Sequence, residues 1–174
     1  MGGARSGKSG YAEALLPPDA PVRYAATARL RRDGDGDAEW EARIAAHRAR
    51  RPPGWTTVED PDLPALLRAT TPGGAPLLVD DLATWLTGVL DDAGAWDAAA
   101  VPDGVAGRVA ELTDAVAAAA GSVVLVSAEV GLGVVPATRA GRLFRDELGA
   151  LNAGLAAVCD EVLLLVAGLA LRLK

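Results

Sequence analysis

The chain has 174 residues, 51% of them hydrophobic, which is enough for one domain with a sizeable core and excludes a disordered protein. Its formal charge of −6 argues against a general nucleic-acid partner, which needs a basic field. One cysteine, Cys159, excludes an internal disulfide and fits a reducing cytoplasm. The start, MGGARSGKSG, has no apolar stretch of signal-peptide type, and the apolar runs at 123–126 and 162–167 are too short to span a membrane.

Residues 9–16 read as a short helix stopped by Pro17 and Pro18. Residues 21–27 read as a strand, 29–37 as a charged loop, and 37–51 as a helix ended by Pro52 and Pro53. A short strand is expected at 55–58 and a helix over 61–71. The apolar run 77–79, ending at Asp80 and Asp81, predicts a buried strand, followed by a helix over 82–90. A small-residue loop at 93–104 precedes a helix over 105–120 and a second buried strand at 122–126. A Gly-containing loop over 129–136 leads to a long amphipathic helix over 137–158. Strands are expected at 161–167 and 169–173, joined around Gly168. Alternating strands and helices predict an α/β fold of P-loop NTPase type, RecA-like, with a mostly parallel sheet and an antiparallel C-terminal edge. No repeat or linker divides residues 1–174, so a single nucleotide-binding domain is expected.

Gly2, Gly7, Lys8 and Ser9 satisfy the pattern G-x-x-x-x-G-K-[ST]. Glycines let the backbone curl so that successive N–H groups face phosphate oxygens, and the next helix adds its dipole. Gly2, Gly3, Ala4, Arg5, Ser6, Gly7, Lys8 and Ser9 are therefore the expected triphosphate cradle. Lys8 is placed on the β- and γ-phosphates, and Ser9 on Mg²⁺. Such a loop follows a strand, whereas only Met1 precedes this one; the expectation is that a first strand lies upstream of the sequence given. Asp80, at a strand end, is either a partner of Ser9 on Mg²⁺ or the cap of the next helix, a role that Asp81 also suits. Glu129 is a further candidate carboxylate.

His47 is the only histidine and lies in EARIAAHRARRP. Arg43 and Arg51 share its helix face, and Arg48 and Arg50 lie close by, a basic cluster suited to phosphates. On these residues alone, His47 is either a surface side chain or a neutral imidazole able to attack phosphorus.

The ordered set GGARSGKS, YAATA, RIAAHRARRP, WTTVEDP, LLVDDLATWL, SAEVGLGVVP, FRDELGALN and VAGLALRLK resembles the bifunctional adenosylcobinamide kinase and adenosylcobinamide-phosphate guanylyltransferase family. The resemblance covers nearly the whole chain. It implies phosphorylation of the aminopropanol hydroxyl of adenosylcobinamide by ATP or GTP, then guanylyl transfer from GTP through a GMP–histidine intermediate on His47. It places Ala26, Thr27 and Ala28 beside the nucleotide, and Arg48, Ala49, Arg50 and Arg51 on its phosphates or ribose. Glu59 falls on the guanine edge or a ribose hydroxyl. It also implies Mg²⁺ and a homotrimer, with the helix over 137–158 as one contact candidate; packing of its Leu143, Phe144, Leu148, Leu151 and Leu155 on the sheet is the simpler expectation. Ala128 and Gly88, where Asn is expected, Ala170, where Pro is expected, and a long loop at 31–37 depart from the pattern. The alternative readings are a P-loop small-molecule kinase in which His47 is structural, and a truncated, inactive nucleotide-binding protein.

Overall fold

A computed structural model of the chain describes residues 1–29, 45, 48–49 and 51–174. The elements run α1 (Lys8–Ala14), β1 (Arg23–Ala26), β2 (Thr56–Glu59), α2 (Leu63–Arg68), β3 (Leu77–Asp80), α3 (Leu82–Asp92), α4 (Asp103–Ala117), β4 (Val123–Val126), α5 (Arg139–Val158), β5 (Leu163–Val166) and β6 (Leu169–Arg172). Most of the helix expected over 37–51 lies outside the described residues, as do His47, Arg43 and Arg50; residues 45, 48 and 49 are helical.

Four strands form one parallel sheet in the order β2-β1-β3-β4, flanked by helices. This is the expected α/β arrangement; β3, at the sheet's centre, is buried over Leu77, Leu78 and Val79, while β2 at one edge is polar and partly exposed. Along β3 the side chains alternate: Leu77 and Val79 enter a large core with α2 to α5, while Leu78 joins Ala12, Leu16, Tyr24, Trp55 and Val126 on the α1 face. On α5, Leu143, Leu148, Leu151 and Leu155 are buried in the larger core, with partly buried Phe144 against it, so this face is spent on packing as expected.

Three helix starts, those of α2, α3 and α5, are set by side chains. Asp62 accepts from Ala65 N at 3.2 Å, Asp81 from Thr84 N at 2.7 Å and Thr138 Oγ1 from Gly141 N at 3.1 Å. Each satisfies a main-chain donor that the first helical turn leaves without a partner. Because Asp81 caps α3, the neighbouring Asp80 is left to point elsewhere.

The two C-terminal strands are antiparallel, as expected, but they form a separate small sheet. Main-chain bonds from Met1 and Gly2 join it to the larger one. Gly2 N donates to Ser127 O at 3.1 Å, Glu129 N to Gly2 O at 3.0 Å and Leu165 N to Met1 O at 2.8 Å. Beyond this junction β4 and β5 part around a recess of about 300 Å³ whose lining includes Leu15, Val124, Val126, Leu163 and Leu165. β4 was expected to be buried, yet Val123, Val124 and Leu125 are only half-buried, because their outer edge borders this recess.

Candidate phosphate and metal site

Residues 2–7 turn through a tight loop into α1. Gly7 has φ +88°, a left-handed conformation that glycine adopts without penalty, and Gly7 O accepts the first helical bond from Tyr11 N at 2.9 Å. Gly2 is needed for a different reason: a Cβ there would sit 2.5 Å from Ser6 Oγ and 2.7 Å from Leu165 O. The hairpin turn braces the loop from outside, with Gly168 N donating to Ser6 O at 3.1 Å.

The loop borders a cavity of about 650 Å³ at the C-terminal ends of β1, β2 and β3. Of the expected residues, Ala4, Arg5, Ser6, Gly7, Lys8, Ser9, Ala26, Ala28, Arg48, Arg51, Glu59 and Asp80 line it. Gly2 and Gly3 lie behind it, and the Gly3 carbonyl accepts from Lys8 Nζ at 3.5 Å. Thr27 is buried and does not line this cavity; its hydroxyl donates to Asp81 O at 2.7 Å, fixing the ends of β1 and β3 together. Ala49 is exposed outside it.

Asp80 joins three parts of the site. Its Oδ1 accepts from Ser9 Oγ at 3.2 Å and its Oδ2 from Tyr24 Oη at 2.6 Å. Above the Tyr24 ring lies the Arg51 guanidinium, 3.7 Å from the centroid, and Arg51 Nη1 donates to Thr57 Oγ1 at 2.9 Å. Arg48 donates to Glu59, tying the described end of the basic segment to β2. Burial, reinforced by the Asp80 carboxylate, pushes the Tyr24 phenol well above its ordinary pKa, so it stays a donor.

Two buried donors on the cavity, Ser6 Oγ and Arg51 Nε, have no hydrogen-bond partner among the described residues. Buried polar groups are normally satisfied, and a polyanionic oxygen array suits both. For a divalent cation, the hydroxyl of Ser9 and the carboxylate of Asp80 are hard oxygen donors placed together. Among the described residues no group of three or more acidic, histidine or cysteine side chains forms a closed cage. The donor set therefore fits Mg²⁺, which keeps waters and takes substrate phosphate oxygens.

Tyr24 and Thr84 were not singled out from the sequence, and both line the cavity. The signal for Tyr24 was present: a tyrosine inside a buried strand needs a partner for its hydroxyl. Glu129 lines the cavity as well, and its Oε1 accepts from Gly131 N at 2.7 Å.

A parallel α/β sheet with a glycine loop opening a helix, a lysine inside it and a serine–carboxylate pair beside it defines a P-loop NTPase-like protein. A family model described as "Cobinamide kinase / cobinamide phosphate guanyltransferase" matches residues 1–173, and the chain belongs to that family of kinases and nucleotidyltransferases. It is 43% identical over 176 residues to the bifunctional adenosylcobalamin biosynthesis protein CobP of Pseudomonas aeruginosa, covering 100% of this chain and 95% of that one. It is 38% identical over 180 residues to the CobU proteins of Escherichia coli and of Salmonella typhimurium, covering 99% of this chain and 97% of each relative.

Proposed function

We propose that residues 1–174 form one nucleotide-binding domain carrying both activities in the family's description, on adenosylcobinamide and then on its phosphate. The observation that carries this reading is the Ser9–Asp80 contact beside the glycine loop, 3.2 Å long and linking residues 71 apart in sequence. Main-chain N–H groups of residues 3–8, with Lys8, hold the β- and γ-phosphates of ATP or GTP. Ser6 Oγ and Arg51 Nε donate to the remaining oxygens. Ser9 and Asp80 would hold Mg²⁺, which would supply neutralisation of the charge on the phosphate oxygens during transfer. Tyr24 keeps the Asp80 carboxylate aimed at that position.

In the second activity an imidazole nitrogen of His47 bonds to the α-phosphorus of GTP while the bond to pyrophosphate breaks, leaving GMP on the histidine. The phosphate of adenosylcobinamide phosphate then displaces the imidazole and takes the GMP. Splitting one displacement into two gives each step a positioned nucleophile. Arg48 and Arg50 serve the phosphates or ribose of the nucleotide, and Glu59 accepts from guanine N1–H and its amino group or from a ribose hydroxyl.

No helix among the described residues is long and apolar enough to cross a membrane; a cytoplasmic location rests on the single cysteine, which suits a reducing compartment. The exposed side chains of Leu132, Val134 and Val135 support burial against other copies in a homotrimer. Light scattering on a sizing column tests that assembly, and a mass of one chain refutes it. The chemical reading is tested with GTP labelled on its α-phosphate. An acid-labile protein adduct that disappears in His47→Ala is expected; a wild-type protein that phosphorylates cobinamide without any adduct would leave only a P-loop kinase.

A further inference from the structure

A second cavity, of about 400 Å³, opens beside the phosphate site and is separated from it by single residues. Thr27 lines the second cavity while Ala26 and Ala28 line the first; Asp60 and Trp85 line the second while their neighbours Glu59 and Thr84 line the first. Both therefore sit over the C-terminal ends of the same strands, where ligands of parallel sheets bind.

The feature organising the second cavity is Arg29. Its Nη1 and Nη2 donate to the two carboxylate oxygens of Asp92 at 2.7 and 2.9 Å, and its Nε lies 3.4 Å from Asp60 Oδ1. The guanidinium rests on α3 at Gly88, where a Cβ would come within 3.0 Å of Arg29 Cζ. The glycine that departs from the expected asparagine thus makes room for this arginine. Arg108, on the facing helix, is itself paired with Glu111 at 2.8 Å.

These pairings leave both cations compensated, which disfavours a second polyphosphate. What the recess offers is a mixed set of donors and acceptors over the apolar wall of Trp85. A neutral carboxamide matches it: the carbonyl accepts from guanidinium, and the amide nitrogen donates to carboxylate. The volume suits one side arm of a large ligand and leaves its body outside.

We propose that this recess is the acceptor subsite, holding a carboxamide-bearing arm of the corrinoid so that the neighbouring hydroxyl faces the phosphate cavity. The proposal rests on the kinase reading above. Arg29 positions the arm, and Gly88 sets the height of Arg29.

Calorimetric titration of the full chain with adenosylcobinamide and, separately, with Mg²⁺-GTP tests it, using wild type, Arg29→Ala, Asp92→Asn and Gly88→Ala. Arg29 and Asp92 are solvent-facing, so their variants keep the fold, which GTP titration verifies. The expected result is a corrinoid Kd raised about tenfold or more in Arg29→Ala and Asp92→Asn, less in Gly88→Ala, with the GTP Kd unchanged. Wild-type binding of corrinoid retained at equal strength in all three variants overturns the subsite and leaves the kinase reading standing. A wild type that binds GTP and no corrinoid overturns both.

Discussion

Tyr24 and Asp80 meet across adjacent strands, the phenol donating to Oδ2 at 2.6 Å while Ser9 donates to Oδ1. The carboxylate is thereby fixed on one side by the core and on the other by the helix that follows the glycine loop. Replacing Tyr24 with Phe removes only the hydroxyl. Stability should fall by about 1–2 kcal/mol, and kcat/KM for Mg²⁺-nucleotide should fall several-fold, with part of the loss recovered at higher Mg²⁺. Denaturant titration and initial rates at varied Mg²⁺ check both.

The same pair predicts an alkaline limit. The folded-state pKa of Tyr24 is raised above the unfolded value of about 10, by burial first and by Asp80 second. Above that value the unfolded chain releases a proton that the folded one keeps, so the contribution is full below pH 10 and is lost as pH rises beyond it. Stability measured between pH 9 and 11 should fall less steeply in Tyr24→Phe than in wild type; parallel slopes would remove this assignment.

Gly7→Ala places a Cβ on a residue at φ +88°, costing about 1–2 kcal/mol. Space is not the difficulty, since the nearest atom would lie 3.7 Å away. The strain falls on the loop itself, so nucleotide affinity should drop more than global stability does. Comparing the melting temperature with the nucleotide Kd separates the two.

Asn152 is a buried polar residue on α5 whose amide oxygen and amide nitrogen each have a partner. Its Oδ1 accepts from Ser127 Oγ at 2.5 Å and its Nδ2 donates to Ala128 O at 3.0 Å. Those are the residues that clasp Gly2, with Ser127 O accepting from Gly2 N. Asn152→Ala should cost about 2–3 kcal/mol and raise the nucleotide KM, although the residue lines no part of the cavity. Unchanged KM in a destabilised variant would confine its role to packing.

Much of this architecture was legible in the residues because it is local. The glycine loop, the apolar run of β3 and the cap at Asp81 each announce themselves within a few positions. The doublet Asp80-Asp81 left its division of labour open, and geometry settles it: Asp81 takes the helix N-terminus and Asp80 turns toward Ser9. What the sequence hid depends on neighbours distant in the chain. Asn152 reads as an ordinary polar position on a helix, since its partners lie 24 and 25 residues away. The exposure of Val123 to Leu125 was hidden too, because burial of a strand depends on what lies beside it. Gly88 looked like a loss from the expected pattern until Arg29, far away in sequence, was seen to rest on it.

The hairpin β5–β6 grips the glycine loop through Leu165 and Gly168, while the Met1 amino group reaches Leu163 O, 162 residues away in the chain. The loop that meets the phosphates is thus held from behind by a hairpin that touches none of them, so a substitution that loosens β5–β6 is expected to weaken nucleotide binding from a distance, through the lost support at Ser6 O and Met1 O.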